Sequence, residues 1–223
     1  MIGSPAILDN GSSSRSGIQF DTAFQSGPEV LAAGLGRLAA EDAVSLPLLA
    51  PESCGPLIEA AMGLPYRDAT PIIGVGEKRV YQDFELTEDL PPGSLFHDLA
   101  KALERLTERA LTHLDPPPLD RPIRLNDFII QRYPVGSAGI TPHRDHIRYR
   151  ELVAIVTLSG RARFFTCADR SGRGAREIPI PPGSLLLMRA PGFAGREDRP
   201  FHMLSDVTEE RLSLGLRHDA RAA

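Results

Sequence analysis

Seven short apolar runs, separated by glycine and proline, decide the fold of this chain: LNDFIIQRY (125–133), ELVAIVTLSG (151–160), ARFFTCA (162–168), REIPI (176–180), SLLLMRA (184–190), FHMLS (201–205) and RLSLGLR (211–217). Runs of this length at this spacing, rich in β-branched and aromatic residues and bounded by turn formers, predict an antiparallel β sandwich or barrel over residues 121–223. Within RLSLGLR the alternation is strict: Arg211, Ser213, Gly215 and Arg217 share one face, and Leu212, Leu214 and Leu216 the other. Such a polar face is either solvated, the usual arrangement on an antiparallel sheet, or turned into a barrel, where its arginines need an anionic partner.

Upstream of the runs the texture is helical. SLFHDLAKALERLTERALTHL (94–114) repeats leucine at 95, 99, 103, 106 and 111 and stops before the prolines at 116–118, which predicts a helix packed on one side. PEVLAAGLGRLAAEDA (28–43) is a second helical segment, weakened by its glycines. A short strand followed by a helix from Pro51 is expected over 43–67, and RVYQDFELT (79–87) alternates as a strand. The first 27 residues, glycine- and serine-rich and without apolar period, predict a flexible arm. The expected organisation is α+β: an arm (1–27) and a single domain (28–223), its helical support region (28–120) preceding the β core (121–223).

The formal charge of −4 on 223 residues conceals a division. Residues 1–120 carry 18 acidic and 8 basic side chains, a net of −10; residues 121–223 carry 11 and 17, a net of +6. All but two of the cations are arginine, whose rigid fork matches carboxylates and phosphates. Two cysteines are too few for a disulfide framework, no apolar run approaches the ~20 residues of a membrane span, and the N-terminus lacks the pattern of a secretory signal. A soluble cytoplasmic protein is the expectation, with its oligomeric state open.

Chemistry concentrates in GITPHRDHIRYRE (139–151). His143 and Asp145 stand two residues apart, so on a strand they leave the same face and can meet at one metal. His202, interrupting an apolar strand, is the strongest candidate for a third ligand, although a surface ion pair between His143 and Asp145 would produce the same local pattern. Two histidines and one carboxylate form the facial set of non-haem iron(II) oxygenases.

The series Gln131-Arg132-Tyr133, Gly136, His143-x-Asp145, His202 and Arg211-x5-Arg217 resembles, in order and spacing, the AlkB-like Fe(II)/2-oxoglutarate-dependent dioxygenases over about residues 124–218. The resemblance implies a double-stranded β-helix (jelly-roll) core with the N-terminal helices packed outside. It implies His143, Asp145 and His202 as metal ligands and catalytic centre, with Fe(II), 2-oxoglutarate and O2 as cofactor and cosubstrates. It also implies Arg211 and the Tyr133 hydroxyl on the distal carboxylate of 2-oxoglutarate, and Arg217 towards the C1 carboxylate or the substrate. Gln131 and Ser213 stand where the family often has asparagine. The implied activity is oxidation, most simply hydroxylation, of a C–H bond with release of succinate and CO2. A small organic substrate, with an anionic one among the options, is favoured over an AlkB-like demethylation of nucleic acid or protein: the chain lacks tryptophan, Ile147 stands where the repair enzymes have an acidic base reader, and the N-terminal half is acidic. A barrel that binds a carboxylate without turning it over is the non-enzymatic alternative. Strand parity puts Arg148 and Arg150 on a solvated outer face, with the alternative that in a loop they fold over the active-site mouth, and the segment RAPGFAGREDRPFH (189–202) is a candidate lid reaching His202.

Overall fold

The computed structural model describes residues 19–119 and 121–221. In chain order the elements are α1 (Phe20–Ala23), α2 (Pro28–Leu38), β1 (Ala43–Pro47), α3 (Gly55–Met62), β2 (Arg67–Asp68), β3 (Ile72–Ile73), β4 (Val80–Asp83), β5 (Glu85–Thr87), α4 (Leu95–Leu111), β6 (Asp127–Tyr133), β7 (Gly139–His143), β8 (Tyr149–Cys167), β9 (Arg176–Ile178), β10 (Ser184–Arg189) and β11 (Phe201–Asp219).

Two 19-residue strands, β8 and β11, organise the barrel. They run antiparallel along their whole length with several register shifts, so each takes different neighbours on its two halves. Their one half joins the order β1-β10-β8-β11-β6-β5-β2; the other carries β9 beside β8, and β7 with β4 beside β11. Four of the predicted runs are therefore two strands, because the turn signal between members of each pair bends the strand instead of ending it. At Gly160, with φ +80°, a Cβ would collide with the carbonyl of Glu210 across the pair.

The fold is α+β with a jelly-roll core, and the two faces of the main sheet are packed differently. Outside, Leu212, Leu214 and Leu216 meet a cluster containing Leu31 and Leu35 of α2 and Phe96, Leu99 and Leu103 of α4. Inside, Tyr133, Ile140, Val153, Phe164 and Leu204 line the barrel cavity. The leucine face of RLSLGLR thus lies under the helices and its arginine face is buried in the barrel, so the polar face is not the solvated one.

Several N-terminal boundaries move. Residues 1–18 of the expected arm lie outside the described residues, but 20–27 are docked: Phe20 is buried, and Gln25 N–H donates to the Leu48 carbonyl. At Pro51 the chain forms a 3-10 turn (Pro51–Cys54) before α3 begins at Gly55. The strand expected over 79–87 is divided at Phe84, whose side chain is buried in the barrel. Both cysteines are buried and free. Among the described residues no helix is long and apolar enough to cross a membrane.

Candidate active site: a His-Asp-His cluster beside an unanswered arginine

His143 is the last residue of β7 and lies directly opposite His202 on β11. Gly139, at the start of β7, permits that close pairing: its φ is +76°, and a Cβ would run into the carbonyl of Leu204. Asp145 is not on the strand, as its two-residue spacing predicts, but in the following loop. The Arg199 Nη1 donates to the Asp145 carbonyl at 2.6 Å and ties that loop to the segment before β11. One ligand atom from each of His143, Asp145 and His202 falls within 4.8 Å of the others.

The histidines are oriented from behind. His143 Nδ1 lies 2.9 Å from the Thr141 carbonyl and His202 Nδ1 3.4 Å from that of Pro200. A carbonyl only accepts, so Nδ1 carries the proton and Nε2 keeps its lone pair for a metal. The ring centroids are 4.2 Å apart, and His202 stacks on Phe164 at 5.7 Å. Burial, followed by the neighbouring His202, pushes His143 down to about 3, so the ring is neutral. Burial alone would raise the Asp145 carboxyl, but His202, Arg217, His143 and Arg199 together hold it below its usual range. A neutral His143 ring and an ionised Asp145 carboxylate are protonation states that suit a divalent cation.

The cavity these residues line also receives Gln131, Tyr133, Arg211 and Arg217. Register explains the convergence: Arg211 lies opposite Tyr133 and Ser213 opposite Gln131 on β6. Arg211 is 2% exposed, its Nη1 donates to Ser213 Oγ at 2.7 Å, and its Nη2 donates to Thr157 Oγ1 at 3.3 Å. Its Nε has no partner, and among the described residues no carboxylate forms an ion pair with it. Burial pulls this guanidinium down to about 10 and pushes the Tyr133 phenol up to about 12. A buried cation with hydroxyl neighbours and no counter-ion is a receptor for an anion.

Arg217 differs. Its Nη1 donates to Asp127 Oδ1 at 3.0 Å and its guanidinium stacks over Tyr149 at 4.9 Å. Its charge is already answered, whereas that of Arg211 is not. Asp127 went unnoticed in the sequence; its register position directly opposite Arg217 is the signal that locates it, and that position is known only once the strands are paired. The alternative that placed Arg148 and Arg150 as free cations over the mouth is not supported. Arg148 pairs with Asp127 at 3.4 Å and Asp219 at 3.2 Å, and Arg150 with Glu197 at 3.1 Å, so protein carboxylates already engage both. From the segment 189–202, it is Arg199 and His202 that reach the cluster.

No protein-family model matches the chain, and no curated protein does. Solved structures do, and they define a class. A prolyl-4-hydroxylase from Pseudomonas putida aligns over 85% of this chain and 99% of its own, at 19% identity and TM-score 0.58. A Trichoplax adhaerens prolyl hydroxylase in complex with a hypoxia inducible factor peptide aligns over 87% and 91%, at 11% identity and TM-score 0.60. The structure of OsALKBH1 aligns over 79% and 98%, at 14% identity and TM-score 0.57. At these identities the likeness establishes the fold, which is that of the 2-oxoglutarate/Fe(II) oxygenases.

Proposed function

We propose that the protein is an Fe(II)- and 2-oxoglutarate-dependent dioxygenase that oxidises, most simply by hydroxylation, a C–H bond of a small organic molecule. The observation that carries this reading is the union, in one cavity, of the His143, Asp145 and His202 donors with the unanswered Arg211 guanidinium. The donor set suits iron(II): two imidazoles and one carboxylate on one side leave the opposite side free for further ligands. Iron with 2-oxoglutarate and O2 would supply the oxidising power for an unactivated C–H bond, with succinate and CO2 released.

The chain's own groups divide the remaining work. Arg211 takes the distal carboxylate of 2-oxoglutarate through its fork, and the Tyr133 hydroxyl, held as a neutral phenol, adds a hydrogen bond. Ser213 and Thr157 fix the guanidinium plane, and Gln131 supplies an amide on the same wall. Arg217, steadied by Asp127 and Tyr149, lies near the Asp145 carboxylate and would serve the C1 carboxylate of the cosubstrate or the substrate. The apolar wall of Ile140, Phe164 and Leu204 limits water around the metal. A small-molecule substrate is supported over nucleic acid by the acidic 1–120 half and by exposed Ile147 beside the cluster.

With Fe(II), O2 and a library of candidate substrates, the wild-type protein is expected to convert 2-oxoglutarate to succinate. His143→Ala and Asp145→Ala are each expected to lower that rate by about 10³-fold or more, since removing a ligand removes the metal. Full turnover in either variant contradicts the metal assignment, and 2-oxoglutarate binding without succinate in any condition supports a carboxylate-binding protein instead.

A further inference from the structure

A cavity of about 630 Å³ opens between β1 and the connection from β9 to β10, and it shares no lining residue with the one that contains Arg211. Its volume is that of a ligand site, for which ~300–1,000 Å³ is usual. We propose that this groove binds an extended peptide segment of a partner protein, one that carries an apolar side chain and a carboxylate.

The peptide character follows from the edge of the sheet. β1 pairs with β10 on one side only, with Pro47 opposite Ser184. One residue further, Leu48 N–H donates to the Gly183 carbonyl at 3.0 Å. The N–H and C=O of a residue in an antiparallel strand point the same way and alternate along it, so Val44 and Leu46 face β10 while Ala43, Ser45 and Pro47 face outward. The outward carbonyls at both ends are already used: Arg176 Nη2 donates to that of Ala43 at 3.4 Å, and Ser26 Oγ donates to that of Pro47. Pro47 has no N–H to offer. Ser45 lies between them and lines the groove, and among the described residues its N–H and carbonyl make no hydrogen bond outside the β1–β10 ladder. One outward donor and one outward acceptor on a single strand residue match the backbone of one extended residue. The capped ends leave no run long enough for the β1 of a second copy to pair there.

The walls and the charge set the rest of the occupant. Leu46 and Ile178 are buried beside the groove, and Pro179, Pro181 and Pro182 line it with rigid apolar rings that carry no competing N–H. A wall fixed in this way loses little entropy on binding. Of the charged groups in the lining, Glu41 pairs with Arg176 at 2.9 Å and Glu177 with Arg163 at 2.7 Å. Arg37, exposed in the last turn of α2, forms no ion pair among the described residues. The groove therefore has one unmatched positive charge, which a carboxylate on the peptide complements.

The test uses the full chain, without iron or 2-oxoglutarate, so its outcome is independent of the oxygenase reading. The probes are labelled, acetylated and amidated hexapeptides of leucine, phenylalanine and serine, with one glutamate placed at each position in turn, and binding is read by fluorescence anisotropy. At least one peptide is expected to bind with Kd below about 0.1 mM. Replacing its glutamate by glutamine is expected to weaken binding about tenfold to the wild type, whereas Arg37→Gln binds the two peptides within about threefold of each other. N-methylation of its backbone amides, one at a time, is expected to cost about tenfold at the position that donates to the Ser45 carbonyl. Binding of no peptide, as when the chain itself fills the groove, N-methylation without effect at every position, or a glutamate preference that survives in Arg37→Gln would each overturn the proposal. A dimer of the peptide-free protein that Arg37→Gln dissociates would give the groove to a second copy and overturn it as well.

Discussion

Arg211 occupies the place where an apolar side chain would be the more stable choice. Its guanidinium is fully enclosed, bonded to two hydroxyls and paired with no described carboxylate. Burying a charge without a counter-ion costs several kcal/mol. Arg211→Met is therefore expected to raise the stability of the ligand-free protein by about 1–2 kcal/mol, since removing an uncompensated buried charge removes its desolvation cost. The same substitution is expected to abolish the stabilisation by 2-oxoglutarate, about 2.7 kcal/mol in the wild type at a hundredfold excess over Kd. Denaturation of both proteins with and without Fe(II) and 2-oxoglutarate measures this; a variant less stable without ligand, or equally stabilised by it, would refute the assignment. At this scale the sequence was informative about identities and silent about pairing. His202 and Arg211 stand out in a linear reading because they interrupt apolar strands, and His143 and Asp145 because of their two-residue spacing, whereas Tyr133 is singled out only by the family resemblance. Whether an arginine is answered depends on carboxylates distant in sequence: Asp127 lies 90 residues from Arg217 and Glu197 lies 47 from Arg150. Alternation alone cannot separate Arg211, which has no carboxylate partner among the described residues, from Arg148, which has two.

At the level of elements, the cluster depends on β7 pairing with β11 and on the shared course of β8 and β11. The glycine at 139 is where this is most exposed to substitution, because its left-handed backbone and the adjacent Leu204 carbonyl both exclude a Cβ. Gly139→Ala is expected to destabilise the fold by about 2–4 kcal/mol, and to weaken Fe(II) binding further by separating His143 from His202. Chemical denaturation and metal titration check the two effects, and an alanine variant with unchanged stability and metal affinity would contradict the strand pairing. The runs of the β half were legible because each alternates or is continuously apolar, and α4 because its leucines fall on one helical face. What sequence did not resolve was continuity. ELVAIVTLSG and ARFFTCA are one strand because Gly160 serves a close crossing with β11, and in isolation a glycine in that position is indistinguishable from a turn. Asp145 shows the reverse error: its spacing from His143 suits a strand, yet a loop held by Arg199 delivers it.

For the whole molecule, the opposed charges of the two halves acquire a structural meaning. The arginines of the β half are largely consumed by ion pairs, several with aspartates and glutamates of the first half, such as Arg132 with Glu85 at 2.6 Å and Arg176 with Glu41 at 2.9 Å. A cationic domain offered to nucleic acid is not what remains. Among the described residues the surplus comes down to Arg211 inside the barrel, exposed Arg124, and Arg144, Arg170 and Arg199 near the cluster. The N-terminal helices cover the leucine face of the main sheet, which lets the opposite face of the same strands hold polar groups in a closed interior. In the proposed function this interior binds Fe(II) at His143, Asp145 and His202 with 2-oxoglutarate held by Arg211. Anaerobic titration of the wild-type protein with Fe(II) and 2-oxoglutarate tests it most directly. The account predicts a visible charge-transfer band that saturates at one metal and one 2-oxoglutarate per chain and decays on admission of O2 with formation of succinate. Failure to take up 2-oxoglutarate in the presence of Fe(II), or uptake with the same affinity in Arg211→Met, would contradict it.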